Sequence, residues 1–298
     1  MSFRSLVVCV GLVTACSTVA VLAEEPPDLK GPYLGQQPPG REAELFAPGL
    51  VSVTGRYEYA LGFSPDGQQL LFTAQAPDGP SHLLHSRVVD GRWTVPQRVS
   101  LSGGAKKAEM EAFFAPDGSR LYFAPYDEGM DVRIWTVEVG PDGWVNPRQV
   151  GAPVSEDPAF YPTIAKSGAI YYTNLAERKV YRAVLEGDRV VEASDAGIAF
   201  GGHSFIAPDE SFVLLDAKAD DSRGERDIYV AFKEASGGWT TPVNLGDAVN
   251  TPYSETCPSL SPDGKYLYFG RYNEEGQVSN IYWIESSVID RARETAAH

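Results

Sequence analysis

The sequence predicts an all-β fold, a five-bladed β-propeller with four-stranded antiparallel blades and a ring closed by an N-terminal strand. Three observations predict it: a hairpin motif that recurs five times, a repeat spacing near fifty residues, and an N-terminal segment that completes the last repeat. Four short strands repeated at this spacing are typical of propeller blades, which bury their faces by stacking around an axis. A six-bladed ring is the alternative count.

The hairpin motif consists of two apolar runs joined by a Pro-Asp-Gly turn. Three close copies occupy residues 63–72, 114–123 and 260–269, and weaker copies occupy residues 164–172 and 206–214. Proline sets φ near −65° at the start of the turn and glycine accepts a positive φ at its end, so each copy predicts a β-hairpin.

The spacing of the motifs sets the size of one blade. The turn residues Asp66, Asp117, Ser167, Asp209 and Asp263 are 51, 50, 42 and 54 residues apart. Each hairpin precedes a further alternating run, and a Trp-x-x-Pro motif follows at Trp93, Trp144 and Trp239. Each period therefore contains four strands, and helix is expected only near residues 287–293.

The last repeat is incomplete, which indicates how the ring closes. It starts at Glu255, ends near Glu285 and has no Trp-x-x-Pro strand after it. Residues 44–52 match the corresponding spacing before the first repeat. We therefore expect this segment to supply the outermost strand of the final blade.

The N-terminal region predicts export. Residues 1–23 read as a signal peptide, with Arg4, an uncharged apolar run and a small residue at Ala23. Residues 24–40 are rich in proline and are expected to form an extended leader, and residues 41–298 form a single propeller domain. The predicted location is periplasmic or secreted. Lipidation of Cys16, in a lipobox-like context, is the alternative and would make a membrane-anchored lipoprotein.

Charge and hydropathy exclude some partners. The chain has 25 Lys and Arg against 40 Asp and Glu, a net charge of −15, and no basic patch for a phosphate backbone, so nucleic acid is excluded. Beyond the signal no segment approaches the ~20 apolar residues of a membrane span. A monomer is expected.

The Ser-Pro-Asp-Gly turn followed by Leu-Tyr-Phe resembles the WD40-like, or PD40, repeat of the TolB-type β-propellers of the bacterial envelope. The resemblance covers residues 41–288, although the third copy has Lys166-Ser167 in place of Pro-Asp and the fourth has Glu210 in place of glycine. It implies a propeller fold and a cell-envelope location, with partners or small ligands met at the axial tunnel. It does not imply one chemistry.

Charged residues before the turns are the candidates for a site at the tunnel mouth. A divalent cation, a cationic ligand or a hydroxyl-rich ligand fits such a cluster. The alternative is that these side chains accept hydrogen bonds from neighbouring backbone and hold the blades together. Cys257 is interpreted as a small buried apolar side chain. Arg271 instead follows the hairpin of the last blade and would bind an anionic group or a sugar. The candidate ligand-binding residues are Glu58, Glu109, Glu111, Asp157, His203, Glu255 and Arg271.

These observations favour an exported, non-catalytic propeller that binds an envelope protein or a small ligand such as a glycan. No Gly-x-Ser-x-Gly elbow, phosphate-binding loop or Cys-x-x-Cys pair occurs, so no catalytic residue is assigned. The alternative is a glycan-active hydrolase or lyase that uses two or three tunnel carboxylates. No cofactor is expected, apart from a divalent cation that tunnel carboxylates would hold.

Overall fold

The computed structural model describes residues 29–129, 131–141, 143–272 and 278–296. The predicted signal peptide and Cys16 lie outside these residues, as does the start of the predicted leader. Within the described residues five sheets form a five-bladed β-propeller, so the predicted fold class is confirmed. Four sheets have four strands, and the first has a split outer edge.

The strands follow the chain from the inside of each blade to the outside. Blade 1 contains β2 (Tyr57–Phe63), β3 (Gln69–Gln75), β4 (His82–Val89), β5 (Arg92–Trp93) and β6 (Gln97–Val99). Blade 2 contains β7 (Ala108–Phe114), β8 (Arg120–Tyr126), β9 (Trp135–Gly140) and β10 (Gly143–Gln149). Blade 3 contains β11 (Ala159–Ile164), β12 (Ile170–Asn174), β13 (Lys179–Glu186) and β14 (Arg189–Asp195).

The last two blades follow the same plan. Blade 4 contains β15 (Gly202–Ile206), β16 (Phe212–Ala217), β17 (Asp227–Phe232) and β18 (Val243–Asn244). Blade 5 contains β19 (Glu255–Leu260), β20 (Tyr266–Tyr272), β21 (Ser279–Glu285) and, at its outer edge, β1 (Glu44–Leu45). The innermost strands β2, β7, β11, β15 and β19 contact one another in a closed circle.

The predicted ring closure is present. In β1, Glu44 pairs with Trp283 and Leu45 pairs with Tyr282 of β21, both antiparallel. Phe46 follows the strand, donates its N–H to the Ile281 carbonyl at 2.8 Å and is fully buried. The closing strand is shorter than the predicted residues 44–52 because the chain turns back immediately after Phe46.

The Pro-Asp-Gly turns form as the sequence predicts. The N–H of Gly67 donates to the Ser64 carbonyl at 2.8 Å, and Gly118 and Gly264 make the equivalent bonds. Each of these glycines has a positive φ. In blade 4, Glu210 takes the glycine position with φ of 58°, so the hairpin persists there without glycine.

Two segments outside the blades cover the ring. Residues 29–40 include a short 3₁₀ helix (Tyr33–Gly35) and pack against blades 1 and 5, where Leu34 is buried and the Tyr33 ring lies 5.1 Å from the Tyr266 ring. The C-terminal helix α1 (Ser287–Ala296) buries Val288 and Ile289 against blades 4 and 5. Across the described residues, no helix has the length and apolar character needed to span a bilayer.

Candidate functional site

A β-bulge in the innermost strand of every blade directs one side chain to the axis. In β2, for example, Tyr59 pairs with Thr73 but Gly62 pairs with Leu71, so two residues oppose one. The first bulged residue of each blade has φ between 38° and 57°, a left-handed conformation that is uncommon outside glycine. We call these residues the axial ring: Ala60, Glu111, Tyr161, His203 and Cys257.

In four of the five bulges, the backbone N–H of the axial-ring residue bonds to a side chain of the preceding blade. Glu111 N–H donates to Thr73 Oγ1 at 2.8 Å, and His203 N–H donates to Thr173 Oγ1 at 3.1 Å. Tyr161 N–H donates to the Glu111 carboxylate at 2.8 Å. Bonds from blade to blade therefore support the left-handed conformation at four positions of the axial ring.

Tyr161 closes the axis on one side of the ring. Its hydroxyl donates to the carbonyl of Pro258 at 2.9 Å, which joins blade 3 to blade 5 across the centre. Its ring contacts that of Phe113, with 5.0 Å between centroids, and both side chains are buried. The tunnel is thus divided by an aromatic layer.

On the other side of this layer the axis opens into a cavity of about 1010 Å³. The cavity lies where the innermost strands begin, at the face opposite the Pro-Asp-Gly turns. Blades 1, 2, 3 and 5 each contribute at least one aromatic side chain to its wall, and the segment that leads into blade 4 contributes Phe200. These are Tyr57, Tyr59, Tyr126, Phe160, Phe200 and Tyr272. Three cationic side chains that are exposed at the surface also line it, namely Arg178, Lys218 and Arg226.

At the floor of the cavity, His203 is held by a buried carboxylate. His203 Nδ1 lies 2.7 Å from Oδ2 of Asp216, which is fully buried. The same oxygen accepts the N–H of Cys257 at 3.1 Å, and Oδ1 accepts a bond from Arg226 at 2.7 Å. Asp216 therefore joins the axial ring of blades 4 and 5 to a cation at the cavity wall.

The charges of this pair support each other. Burial alone would lower the pKa of His203, but the Asp216 carboxylate and Cys257 outweigh it and hold that pKa well above its usual range. Burial alone would raise the pKa of Asp216, but His203 and Arg226 outweigh it and lower that pKa. At neutral pH the two form an imidazolium–carboxylate pair.

Glu111 and Cys257 complete the polar part of the axial ring. Burial raises the pKa of Glu111 to about 7, against the opposing effects of His203 and the Tyr161 N–H. Glu111 Oε1 lies 3.7 Å from His203 Nε2. Burial also raises the pKa of the Cys257 thiol, although the charge of His203 opposes this.

The carboxylates predicted eight residues before the turns have other partners. Glu58 is fully buried and accepts bonds from Arg56 Nε at 2.5 Å and Asn280 at 2.6 Å. Glu255 is also fully buried and accepts bonds from the Thr251 hydroxyl at 2.6 Å and Arg271 Nε at 2.8 Å. These side chains fasten the loop before each blade, so they do not form the expected acidic ring at the mouth.

The remaining predicted site residues also have hydrogen-bond partners outside the cavity, except for Glu111 and His203. Glu109 accepts the N–H groups of Leu101 and Ser102 at 2.8 and 2.9 Å. Asp157 accepts a hydrogen bond from Asn174 at 3.0 Å.

Arg271 donates to Glu255 and to the Val249 carbonyl, and its guanidinium lies 4.4 Å from the centre of the Tyr282 ring. Of the predicted site residues, the structure brings only Glu111 and His203 to the cavity floor.

Cys257 and Asp216 were not predicted from the sequence to be functional residues. The signal was present in the repeats, because the axial ring lies six residues before the turn residue of each blade, not eight. Counting at that offset brings Cys257 together with Glu111 and His203. Asp216 had no such signal, since its role depends on a contact with the neighbouring blade.

Comparisons with known proteins concern the fold. No protein-family model and no curated protein matches the chain. Among solved structures, the chain is similar to a putative TolB from Agrobacterium tumefaciens at 17% identity and a TM-score of 0.49, over 74% of this chain and 72% of that one. It is also similar to TolB from Acinetobacter baumannii at 14% identity and a TM-score of 0.46, over 76% of this chain and 54% of that one. The chain thus spans about half the length of that second TolB.

A further similar structure is an oligogalacturonate lyase from Vibrio parahaemolyticus, at 14% identity and a TM-score of 0.44, over 82% of this chain and 75% of that one. Similarities of this size describe architecture, and proteins with this architecture differ in chemistry. The predicted resemblance to TolB-type propellers is confirmed as a resemblance of fold, carried here by the five hairpins and the closed ring.

Proposed function

We propose that this protein is an exported, non-catalytic propeller that binds a small, hydroxyl-rich ligand with an acidic group in the axial cavity. The observation that carries this proposal is the cavity itself, about 1010 Å³ in volume, with aromatic side chains from four blades and from the segment before blade 4 around it. A deep concave site with a few polar groups suits a small molecule better than a protein surface.

The aromatic wall favours a ligand with flat apolar faces and hydroxyl groups. The hydroxyls of Tyr57 and Tyr272 bond to each other across the junction of blades 1 and 5, and both rings face the cavity. Tyr126 of blade 2 donates its hydroxyl to Ser81 at 3.2 Å, next to Tyr59 of blade 1. A sugar ring packs its C–H face on such rings and exchanges hydrogen bonds with such hydroxyls.

The cationic side chains favour an acidic group on that ligand. Arg178, Lys218 and Arg226 line the cavity of a protein whose net charge is −15. Glu225 also lines it, and Asp216 is paired with His203 and Arg226. These positively charged side chains can therefore bind a carboxylate of the ligand through charge-assisted hydrogen bonds.

Calorimetric titration tests this proposal. The probes are an oligosaccharide of hexuronate units and a neutral hexose oligosaccharide of the same length. We expect the acidic probe to bind more tightly, and the double variant Arg178→Gln/Lys218→Gln to lose about tenfold or more in affinity for it. Lys265→Gln, at an exposed turn on the opposite face, is the matched control and should bind like the parent.

Two results would count against the proposal. Equal or absent binding of both probes by the folded protein would remove the acidic saccharide as the ligand class. Release of new reducing ends or unsaturated products from either probe would replace the binding function with the alternative, a glycan-active hydrolase or lyase.

The periplasmic or secreted location is part of the same proposal and rests on residues 1–23. Intact-mass measurement of the protein from a Gram-negative host tests it. A mature chain that begins after Ala23 supports export by simple cleavage. A lipid-modified chain that begins at Cys16 supports the anchored alternative, and an uncleaved chain contradicts export.

A further inference from the structure

Three potential metal ligands from three different blades meet at the cavity floor. They are the Glu111 carboxylate of blade 2, the His203 imidazole of blade 4 and the Cys257 thiol of blade 5. One donor atom from each lies within 4.8 Å of the other two. Glu111 and Cys257 are 1% and 3% exposed, and the His203 side chain is 20% exposed toward the cavity.

The orientation of His203 suits metal binding. Its Nδ1 bonds to the Asp216 carboxylate, which can only accept, so Nδ1 carries the hydrogen and Nε2 is the nitrogen directed at Glu111. Histidines that bind metals typically donate the other ring N–H to a carboxylate, which fixes the ring and raises its basicity as a ligand. Asp216 is itself fixed by Arg226 and by the Cys257 N–H.

The orientation of Glu111 is fixed from the other side. Its Oε2 accepts the Tyr161 N–H at 2.8 Å, which leaves Oε1 directed at His203 Nε2, 3.7 Å away. Two donors of a tetrahedral zinc site are about 3.3 Å apart, given bond lengths near 2.0 to 2.1 Å. The Glu111–His203 separation is therefore close to the one that such an ion requires.

The donor set selects the type of ion. Calcium and magnesium take six or more oxygen ligands, and this site offers one oxygen, one nitrogen and one sulfur. Imidazole and thiolate ligands with a carboxylate suit zinc, and three protein ligands leave the fourth position open. All three residues line the cavity, so that open position faces it.

We propose that Glu111, His203 and Cys257 bind one zinc-type divalent ion at the floor of the axial cavity. Binding of the ion displaces the Nε2 proton of the His203 imidazolium and the thiol proton of Cys257, and both protons are released to solvent. The fourth position of the ion is available to water or to a ligand oxygen. This site is independent of the proposed saccharide, because it uses the axial ring and not the aromatic and cationic wall. It also differs from the cation site expected from the sequence, which would have used tunnel carboxylates.

Cobalt substitution provides the test. The full chain, freed of metal with a chelator, is titrated with Co²⁺, and zinc content is measured separately after equilibration with Zn²⁺ and gel filtration. We expect one zinc per chain and a near-ultraviolet band of thiolate-to-cobalt charge transfer. Cys257→Ser should abolish that band, and Glu111→Gln should weaken zinc binding by about tenfold or more. Asp157→Asn, a carboxylate outside the trio, is the matched control and should bind like the parent.

X-ray absorption at the zinc edge of the unmodified protein keeps the test independent of folding in the variants. One sulfur neighbour at about 2.3 Å would support the site. A shell of oxygen and nitrogen only, zinc content far below one per chain, or a charge-transfer band that survives Cys257→Ser would overturn it. In the last case the thiolate would have to come from Cys9 or Cys16, the other cysteines of the sequence.

Discussion

Asp216 of blade 4 holds the imidazole of His203 at 2.7 Å, and the same carboxylate oxygen accepts the backbone N–H of Cys257 in blade 5. One fully buried side chain thus orients a residue in its own blade and fixes the bulge of the next. The chemistry at the axis and the packing of two blades depend on the same carboxylate. Replacing it should therefore change both.

Asp216→Asn should lower the pKa of His203 toward its ordinary value of 6.5, because the amide no longer stabilises the imidazolium. Titration of the His203 ring by NMR measures this. His85 is the internal reference, since burial and the charge of Arg87 lower its pKa to about 4 in a contact that the substitution does not touch. A parent protein in which His203 titrates near 6.5 contradicts the assigned pair.

Glu111→Gln should flatten the pH dependence of stability between pH 4.5 and 7. Glu111 has an ordinary pKa of 4.5 and a folded pKa of about 7. Between these values the folded protein keeps a proton that the unfolded chain has lost, so the free energy of unfolding falls as pH rises. Each unit of pKa difference contributes about 1.4 kcal/mol. Urea unfolding across this range measures the slope.

The control for this slope is Asp127→Asn. Hydrogen bonds from Lys106 and Lys107 hold the pKa of Asp127 below its usual range, so it is ionised in both states above pH 4.5. Its replacement should leave the slope of the parent unchanged. A Glu111→Gln protein with the full slope of the parent would show that Glu111 ionises normally.

Phe46→Ala should destabilise the protein by about 3–5 kcal/mol, the usual cost of removing a buried aromatic side chain. The Phe46 ring lies 5.1 Å from the Trp283 ring and 5.0 Å from the Tyr268 ring, so its loss opens a cavity where the two ends of the chain meet. Chemical denaturation measures the change. Val95→Ala is the control because Val95 is 55% exposed. Equal stability of the two variants would mean that the closing strand contributes little.

Glu255→Gln should destabilise the fold while leaving ligand affinity intact. Glu255 is fully buried and paired with Arg271, and removing one partner of such a pair costs about 3–5 kcal/mol. The Glu255 carboxylate lies outside the cavity wall, so binding of the acidic saccharide by the folded variant should match the parent. A selective loss of ligand affinity at unchanged stability would show that Glu255 belongs to the binding site.

Most of the fold could be predicted from the sequence because local turn chemistry repeats. Pro-Asp-Gly sets a hairpin wherever it occurs, and the spacing of Asp66, Asp117 and Asp263 sets the number of strands between hairpins. Closure by β1 followed from an incomplete last repeat. The packing of residues 29–40 on blades 1 and 5 did not follow, because it depends on where Tyr33 meets aromatic side chains far away in sequence.

The site could be predicted only in part, because a β-bulge shifts which side chains face the axis. Regular alternation places Glu58 and Ala60 on the same face of a strand, and no residue pattern within a single strand marks the bulge that begins at Ala60. Only an offset common to all blades identifies the axial ring. The partners of Asp216 come from three separate segments, a convergence that strand patterns alone cannot show.

The left-handed backbone of the axial ring occurs with alanine, glutamate, tyrosine, histidine and cysteine alike. Its geometry therefore does not depend on the side chain that it carries. Substitution at these five points can exchange one set of reactive groups for another while the strand ladders stay paired. The propeller can therefore carry different functional side chains at its centre while the paired strands of its blades stay the same.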